Sequence, residues 1–239
     1  MTERRPQESQ EAFVLHGYPY RETSMLLEVF TRGFGRVTLV ARGARRPRSA
    51  LRGLLLAFQR LQLSWYGRGE VRTLARAEWL GGQRLLAGEA LLCGYYLNEL
   101  LMRLLAREDP HEELFERYQA ALQGLAANSE SAPVLRGFEK ALLKELGYAM
   151  PLEREALSGN GIDPNKTYTY DPERGPLEIA GGAAELQLAG STLLAIARDD
   201  YRDALTQQQA KQLMRMLINH RLDYQPLKSR RIFKELMEL

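Results

Sequence analysis

The chain has 239 residues, 45% apolar and 26% charged, a globular composition that excludes collagen-like, disulfide-scaffold and charge-driven disordered classes. Its net charge of +3 hides an asymmetry: residues 1–80 carry 14 Arg and no Lys against 7 Glu, while residues 81–239 balance at −4. A basic front joined to a mildly acidic remainder predicts that the first part alone meets a polyanion. The single cysteine, Cys93, excludes an internal disulfide and any multi-cysteine metal site.

Residues 1–11 are polar and aperiodic and are expected to form a flexible tail; no apolar run follows them, so a signal peptide is not expected. Five strand patterns with glycine-marked turns come next: AFVLHGY, TSMLLEVFT, GRVTLVARG, LLLAFQRLQLSWY and EVRTLARAEW. In the third, Val37, Leu39 and Ala41 share one face, and Gly67-Arg68-Gly69 makes the last hairpin turn. Five strands in so short a stretch predict a small closed barrel of the oligonucleotide-binding (OB) type over 12–80. The fold class is therefore α+β: an OB barrel, then an α-helical domain over 81–150 and 190–239, interrupted by a loop-rich insertion at 151–189.

Helical periodicity marks 85–106, 111–126, 133–146, 190–198 and 206–221, with a short helical tail after Pro226. The stretch 89–106 carries Glu89, Asn98, Glu99 and Arg103, too polar for a membrane span. Inside the insertion, one short hairpin is expected around 167–170. Cys93 falls within an apolar helix and reads as a small buried hydrophobe. An intracellular, cytoplasmic location is expected.

Residues 29–69 contain no Asp or Glu and nine Arg: 32, 36, 42, 45, 46, 48, 52, 60 and 68. Arg45, Arg46, Arg48 and Arg52 crowd one stretch, RGARRPRSALRG, where Pro47 and the flanking glycines argue for a mobile loop over a helix. Guanidinium groups fork two hydrogen bonds onto phosphate oxygens, and such binding weakens steeply with salt. Arg36, Arg42, Arg45, Arg46, Arg48, Arg52, Arg68 and Arg72 are therefore the candidate nucleic-acid contacts. Phe34 and Tyr66, at strand ends, are candidates for stacking on bases, or fill the barrel core as Trp65 is expected to do. A solvated basic surface is the plain alternative.

Chemistry-bearing motifs are missing. There is no GxxxxGK[ST] loop, no GxGxxG opening a helix, and His16, His111 and His220 are scattered. The expectation is a protein that holds strands without catalysing covalent change. A metal-dependent nuclease using Asp199 or Asp200 and a sequence-neutral RNA-binding adaptor are the rivals.

Several segments together resemble the RecO family of bacterial DNA repair proteins. They are AFVLHGYPYRETSMLLEVFTRGFGRVTLVARGAR, YYLNELLMRLL, LRGFEKALLKELGY and PLKSRRIFKEL, spread over 12–236. The resemblance implies a recombination mediator that binds single- and double-stranded DNA and anneals complementary strands. It implies RecR and the acidic C-terminal tail of single-stranded DNA-binding protein (SSB) as partners, with RecA loading helped indirectly. For the SSB tail, Arg136 and Lys140, four apart on one helix face, with Arg103, form a candidate basic rim, or else an ordinary amphipathic edge. Lys228, Arg230 and Arg231 extend the DNA path or merely solvate the terminus. Many family members hold zinc with four cysteines after the "LGY" helix; 151–176 has none here, so no zinc or other cofactor is expected.

Overall fold

A computed structural model describes residues 9–82, 84–148, 150–179 and 186–237. The chain forms two compact units, 1–129 with 227–239, and 130–226. The barrel helices 88–104 and 112–126, expected in a separate helical domain, cluster with the barrel.

In the first unit β1 (Gln10–Tyr20), β2 (Ser24–Thr31) and β3 (Gly35–Ala41) form an antiparallel meander. After α1 (Leu51–Leu54) come β4 (Arg60–Tyr66) and β5 (Val71–Trp79). The barrel closes in the order β1-β2-β3-β5-β4, with β3 and β5 parallel, and β4 pairs back onto β1. That is the OB topology the strand spacing predicts. Alternation sends Val37, Leu39 and Ala41 inward to meet Val14, Leu27, Val29, Leu61, Leu63 and Trp65.

Three boundaries differ from expectation. Gln10 and Glu11 already belong to β1; residues 1–8 of the expected tail lie outside the described residues. Of the stretch 54–59, read as strand, Leu54 closes α1 and 55–59 follow it, and β4 starts at Arg60. One helical turn does form beside the arginines: Leu51, Leu54 and Leu55 pack onto the barrel core, and burial outweighs the local turn signals.

The segment Ala12–Leu15 shows no alternation because it is buried on both faces. Ala12 and Val14 line the barrel, while Phe13 and Phe30 face outward onto α3 (Glu112–Ala126), with Phe13 ring centroids 5.4 Å from Phe115 and 5.2 Å from Tyr118. Leu15 lies at a bulge, where the β1–β2 register shifts between Val14 and His16. The side chain of Asn98, on α2 (Gly88–Leu104), donates to the Leu15 carbonyl at 2.8 Å, and the Tyr118 hydroxyl donates to the Asn98 carbonyl at 2.5 Å. Burial pushes the Tyr118 pKa up, which keeps its proton available as donor.

The C-terminal helix α7 (Lys228–Met237) packs on α2. Its start is capped by Glu99 of α2, whose carboxylate accepts from Lys228 N and Ser229 N, each at 2.8 Å, and from Ser229 Oγ at 2.6 Å. A carboxylate there satisfies orphan amides and faces the positive end of the helix dipole.

The second unit holds α4 (Ser131–Glu145), α5 (Gly190–Ala197) and α6 (Ala204–Arg221), with α6 packed against both others. Asp203 caps α6, accepting from Thr206 N at 2.8 Å. The insertion is more ordered than its Gly/Pro-rich sequence predicts. The expected hairpin is β6 (Thr167–Asp171) with β7 (Gly175–Glu178), and β8 (Leu188–Ala189) adds a third strand. Tyr168 and Tyr170 are buried beneath it, and the Tyr168 hydroxyl accepts from Asp163 N at 2.9 Å.

Candidate nucleic-acid interface

Residues 42–50 leave the end of β3 and lead to α1. Arg42, Arg45, Arg46 and Arg48 on this run are exposed. The run is a series of pinned turns, which corrects the expected mobile loop. Arg46 N donates to Gly43 O at 3.1 Å and Ser49 N to Arg46 O at 3.0 Å, with Pro47 in the second position of the latter turn, where its fixed φ fits. Ala44 is buried in the barrel core and anchors the run from beneath. Arg45 fastens it sideways to the β1–β2 turn: its backbone N donates to Thr23 O at 2.8 Å, and its guanidinium to Arg21 O at 3.2 Å.

Arg42, Arg46, Arg48 and, on α1, Arg52 are exposed and have no side-chain hydrogen bond or ion pair among the described residues. Their N–H donors are all available to an anion. Arg68 is also exposed, in the β4–β5 turn. Thr38 pairs with Val71 in the parallel ladder, so that turn lies at the opening end of β3. Arg68 is thus separated from Arg42 by the strand's length, roughly 20 Å.

Arg36 and Arg72 sit differently from the rest of the predicted set. The Arg36 guanidinium donates to the Met102 carbonyl at the end of α2, and its own carbonyl accepts from Glu108 N at 3.0 Å. Burial lowers the Arg36 pKa, and the Glu28 carboxylate opposes that shift. Arg72 is buried and pairs with Glu108 at 2.8 Å. Arg107 reaches Glu28 at 3.0 Å, and Thr38 Oγ1 donates to the same carboxylate oxygen at 2.8 Å. Together these contacts strap the α2–α3 connection across the start of β3. Gly35 allows it, because a Cβ there would lie 1.9 Å from Asp109 O. Arg36, inside the acid-free window, therefore holds a backbone carbonyl, and Arg72, just beyond it, holds a carboxylate of the chain itself.

Of the predicted stacking rings, Phe34 is committed to packing. Phe34 is partly buried and meets the buried Trp65 edge-on at 5.6 Å, and Tyr66 is half-buried. Sequence reasoning missed Arg21, exposed in the β1–β2 turn, with its guanidinium 5.2 Å from the Tyr20 ring centre. Arg21 falls outside the acid-free window, between β1 and Glu22, so the charge count passed over it.

The predicted tail-binding set is divided between the units. Arg103 is exposed on α2 in the first. In the second, Arg136 is buried and paired with buried Glu139 at 2.7 Å. Lys140 donates to the Ile196 and Ala197 carbonyls at 2.8 and 2.9 Å and to Asp199 at 2.7 Å, closing the C-terminus of α5. On α7, Lys228 and Arg231 are exposed, with Arg231 3.6 Å from Glu235, and half-buried Arg230 stacks toward Tyr96 at 5.4 Å.

The two carboxylates of the nuclease rival each face a cation. Asp199 takes Lys140, and Arg202 forks onto Asp200 at 2.8 and 2.5 Å, pulling the Asp200 pKa down to about 2. Among the described residues no group of three or more His, Cys, Asp or Glu side chains converges as a metal site, and no helix is long and apolar enough to cross a membrane. Residues 151–176 contain no cysteine. Their turns are tied by Glu155, which accepts from Leu157 N at 3.0 Å and Ser158 N at 2.5 Å, and by Ile162 N donating to Glu153 O at 3.0 Å.

A five-stranded barrel with parallel β3–β5 closure and an arginine-rich run of turns defines an OB-barrel protein with a cationic loop face. Residues 5–83 match the family described as "Recombination protein O N terminal", and residues 85–231 match "Recombination protein O C terminal". A "DNA repair protein RecO" from Aromatoleum aromaticum is 55% identical over 240 residues, covering 100% of both chains. Proteins of the same name from Nitrosospira multiformis (53% identical, 98% of this chain and 97% of the relative) and Dechloromonas aromatica (55%, 97% and 97%) are similar over their length. The chain belongs to the RecO family of DNA repair proteins.

Proposed function

We propose that this chain is a recombination mediator that binds single- and double-stranded DNA and anneals complementary strands. The observation that carries the reading is the set of exposed guanidiniums at Arg42, Arg46, Arg48 and Arg52, unpartnered among the described residues and held on pinned turns and α1 at one end of an OB barrel. Such a surface reads phosphate and not base edges, which suits a protein that must let bases pair with each other. Neutralising phosphates on two strands reduces their repulsion and raises their local concentration, so annealing requires no covalent step. Family membership supports RecR, the SSB tail and, indirectly, RecA as partners, and a cytoplasmic, nucleoid-associated place of action.

The test is strand annealing on SSB-coated DNA. Annealing faster than the uncatalysed rate, and suppressed as salt rises, is expected; equal or greater acceleration on matched RNA strands moves the reading to an RNA adaptor. Cleavage of labelled DNA with magnesium, lost in Asp200→Asn, overturns it in favour of an enzyme.

For the SSB tail, Lys140 is the better probe of the predicted pair. Its Asp199 partner is largely exposed, so a peptide carboxylate can displace it. Arg136→Glu would set a carboxylate against buried Glu139 and destabilise the unit. Lys140→Ala is expected to weaken binding of an SSB tail peptide several-fold while oligonucleotide binding persists, measured by fluorescence anisotropy. Unchanged peptide affinity removes Lys140 from the site.

A further inference from the structure

The outer face of the barrel carries an aromatic stripe. Gly17 faces the interior, since a Cβ on it would meet Met25 and Leu27, so His16, Tyr18 and Tyr20 face out. The strand registers set them in rows. Tyr18 lies opposite Leu26, which lies opposite Val40; Tyr20 lies opposite Ser24, and Arg42 falls beside Ser24, one step past the Met25–Ala41 pair. The neighbouring row, His16–Glu28–Thr38, is where Arg107 reaches Glu28, so the strap borders the open area on that side.

The rings are placed for use. Tyr18 is 45% exposed, its ring 4.3 Å from His16, which fixes one flank. Leu26 and Val40 beneath it are half-buried. Tyr20 lies under the Arg21 guanidinium, and Arg21 is tied through its carbonyl to Arg45 in the arginine run. Side chains two residues apart on a strand sit about 6.7 Å apart. The stripe thus sets the exposed Tyr18 ring beside the half-buried, cation-capped Tyr20 ring on an apolar floor, with exposed cations along one edge. A chain with apolar flat groups and regularly spaced negative charges complements that pattern, and single-stranded DNA is such a chain.

We propose that Tyr18 and Tyr20 stack on successive unpaired bases of single-stranded DNA while Arg42 and Arg46 take the adjoining phosphates. This rests on the nucleic-acid reading above and adds a preference to it: bases inside a duplex are already stacked and cannot use the rings. The platform therefore raises affinity for single strands only.

The experiment compares the full-length protein with Tyr18→Ala/Tyr20→Ala and Tyr18→Phe/Tyr20→Phe in anisotropy titrations. The ligands are oligo(dT), an abasic oligonucleotide of equal length, and a duplex. The Ala pair is expected to bind oligo(dT) at least about tenfold more weakly, because it loses two base-stacking contacts. The Phe pair, which keeps the rings, should retain affinity. All three proteins should bind the duplex and the abasic strand alike. Photo-crosslinking of an iodouracil-containing strand to the wild-type protein should label Tyr18 or Tyr20, and this readout does not depend on how the variants fold. Salt-dependent oligo(dT) binding that is equal in wild type and the Ala pair, with crosslinks elsewhere, overturns the platform and leaves the arginine surface standing. Wild-type protein with no salt-dependent binding to any of the three ligands overturns both.

Discussion

Replacing Arg46, Arg48 and Arg52 together by Ala is expected to flatten the salt dependence of single-stranded DNA binding by about 2 units of log–log slope, since each lost phosphate contact removes about 0.7. These three side chains are exposed, and none makes a hydrogen bond or ion pair to another part of the protein among the described residues. The loss should thus show in binding alone, with the urea unfolding midpoint unchanged. Arg36→Ala and Arg72→Ala should behave in the opposite way. Both guanidiniums anchor the α2–α3 connection, so their removal should lower the midpoint and leave the salt slope in place. Salt titrations of all three variants check the division. An unchanged slope in the triple variant removes the run 42–52 from the interface.

Asn98→Leu is expected to destabilise the first unit by about 2–4 kcal/mol, a melting-temperature loss of roughly 10 °C. Leucine fills a similar volume, so packing is nearly preserved. Polar matching is not: the bulge carbonyl of Leu15 loses its donor and the Tyr118 hydroxyl loses its acceptor. Both sit in buried surroundings where water does not replace them. Tyr118→Phe removes only the hydroxyl and should cost less, about 1 kcal/mol. Urea denaturation of the two variants measures the difference. Equal costs would mean that the Leu15 contact contributes nothing.

The barrel was legible because its signals are local. Glycine-marked turns and the inward set Val37, Leu39 and Ala41 need only a period of two. α1 was not legible, since a four-residue helix is stabilised by where Leu51 and Leu54 pack and not by its own sequence. The interface was half legible for a related reason. An acid-free window identifies which arginines have no acidic neighbour in sequence; it does not identify acids that arrive from elsewhere. Glu108 reaches Arg72, three residues beyond the window, from 36 residues along the chain, and Arg36, inside it, is taken by a backbone carbonyl 66 residues away, which charge counting cannot see. Tyr18 and Tyr20 went unread because a ring's neighbours on a sheet come from register, and the register shifts at the Val14/His16 bulge. The family resemblance pointed to Arg136 and Lys140 from helix spacing alone, passing over Glu139, three residues along the same helix, and the tertiary partner Asp199.

The cap that Glu99 places on α7 has a consequence in time. Lys228 is 129 residues downstream of its partner. At a synthesis rate of about 5–20 residues per second, on the order of ten seconds separate the two on the ribosome. The barrel can close during that wait, but the face of α2 that receives α7 stays uncovered until the second unit has been made. Completion of the first unit is thereby deferred until α7 has been made, and a chain truncated before residue 227 is a natural target for chaperone or protease.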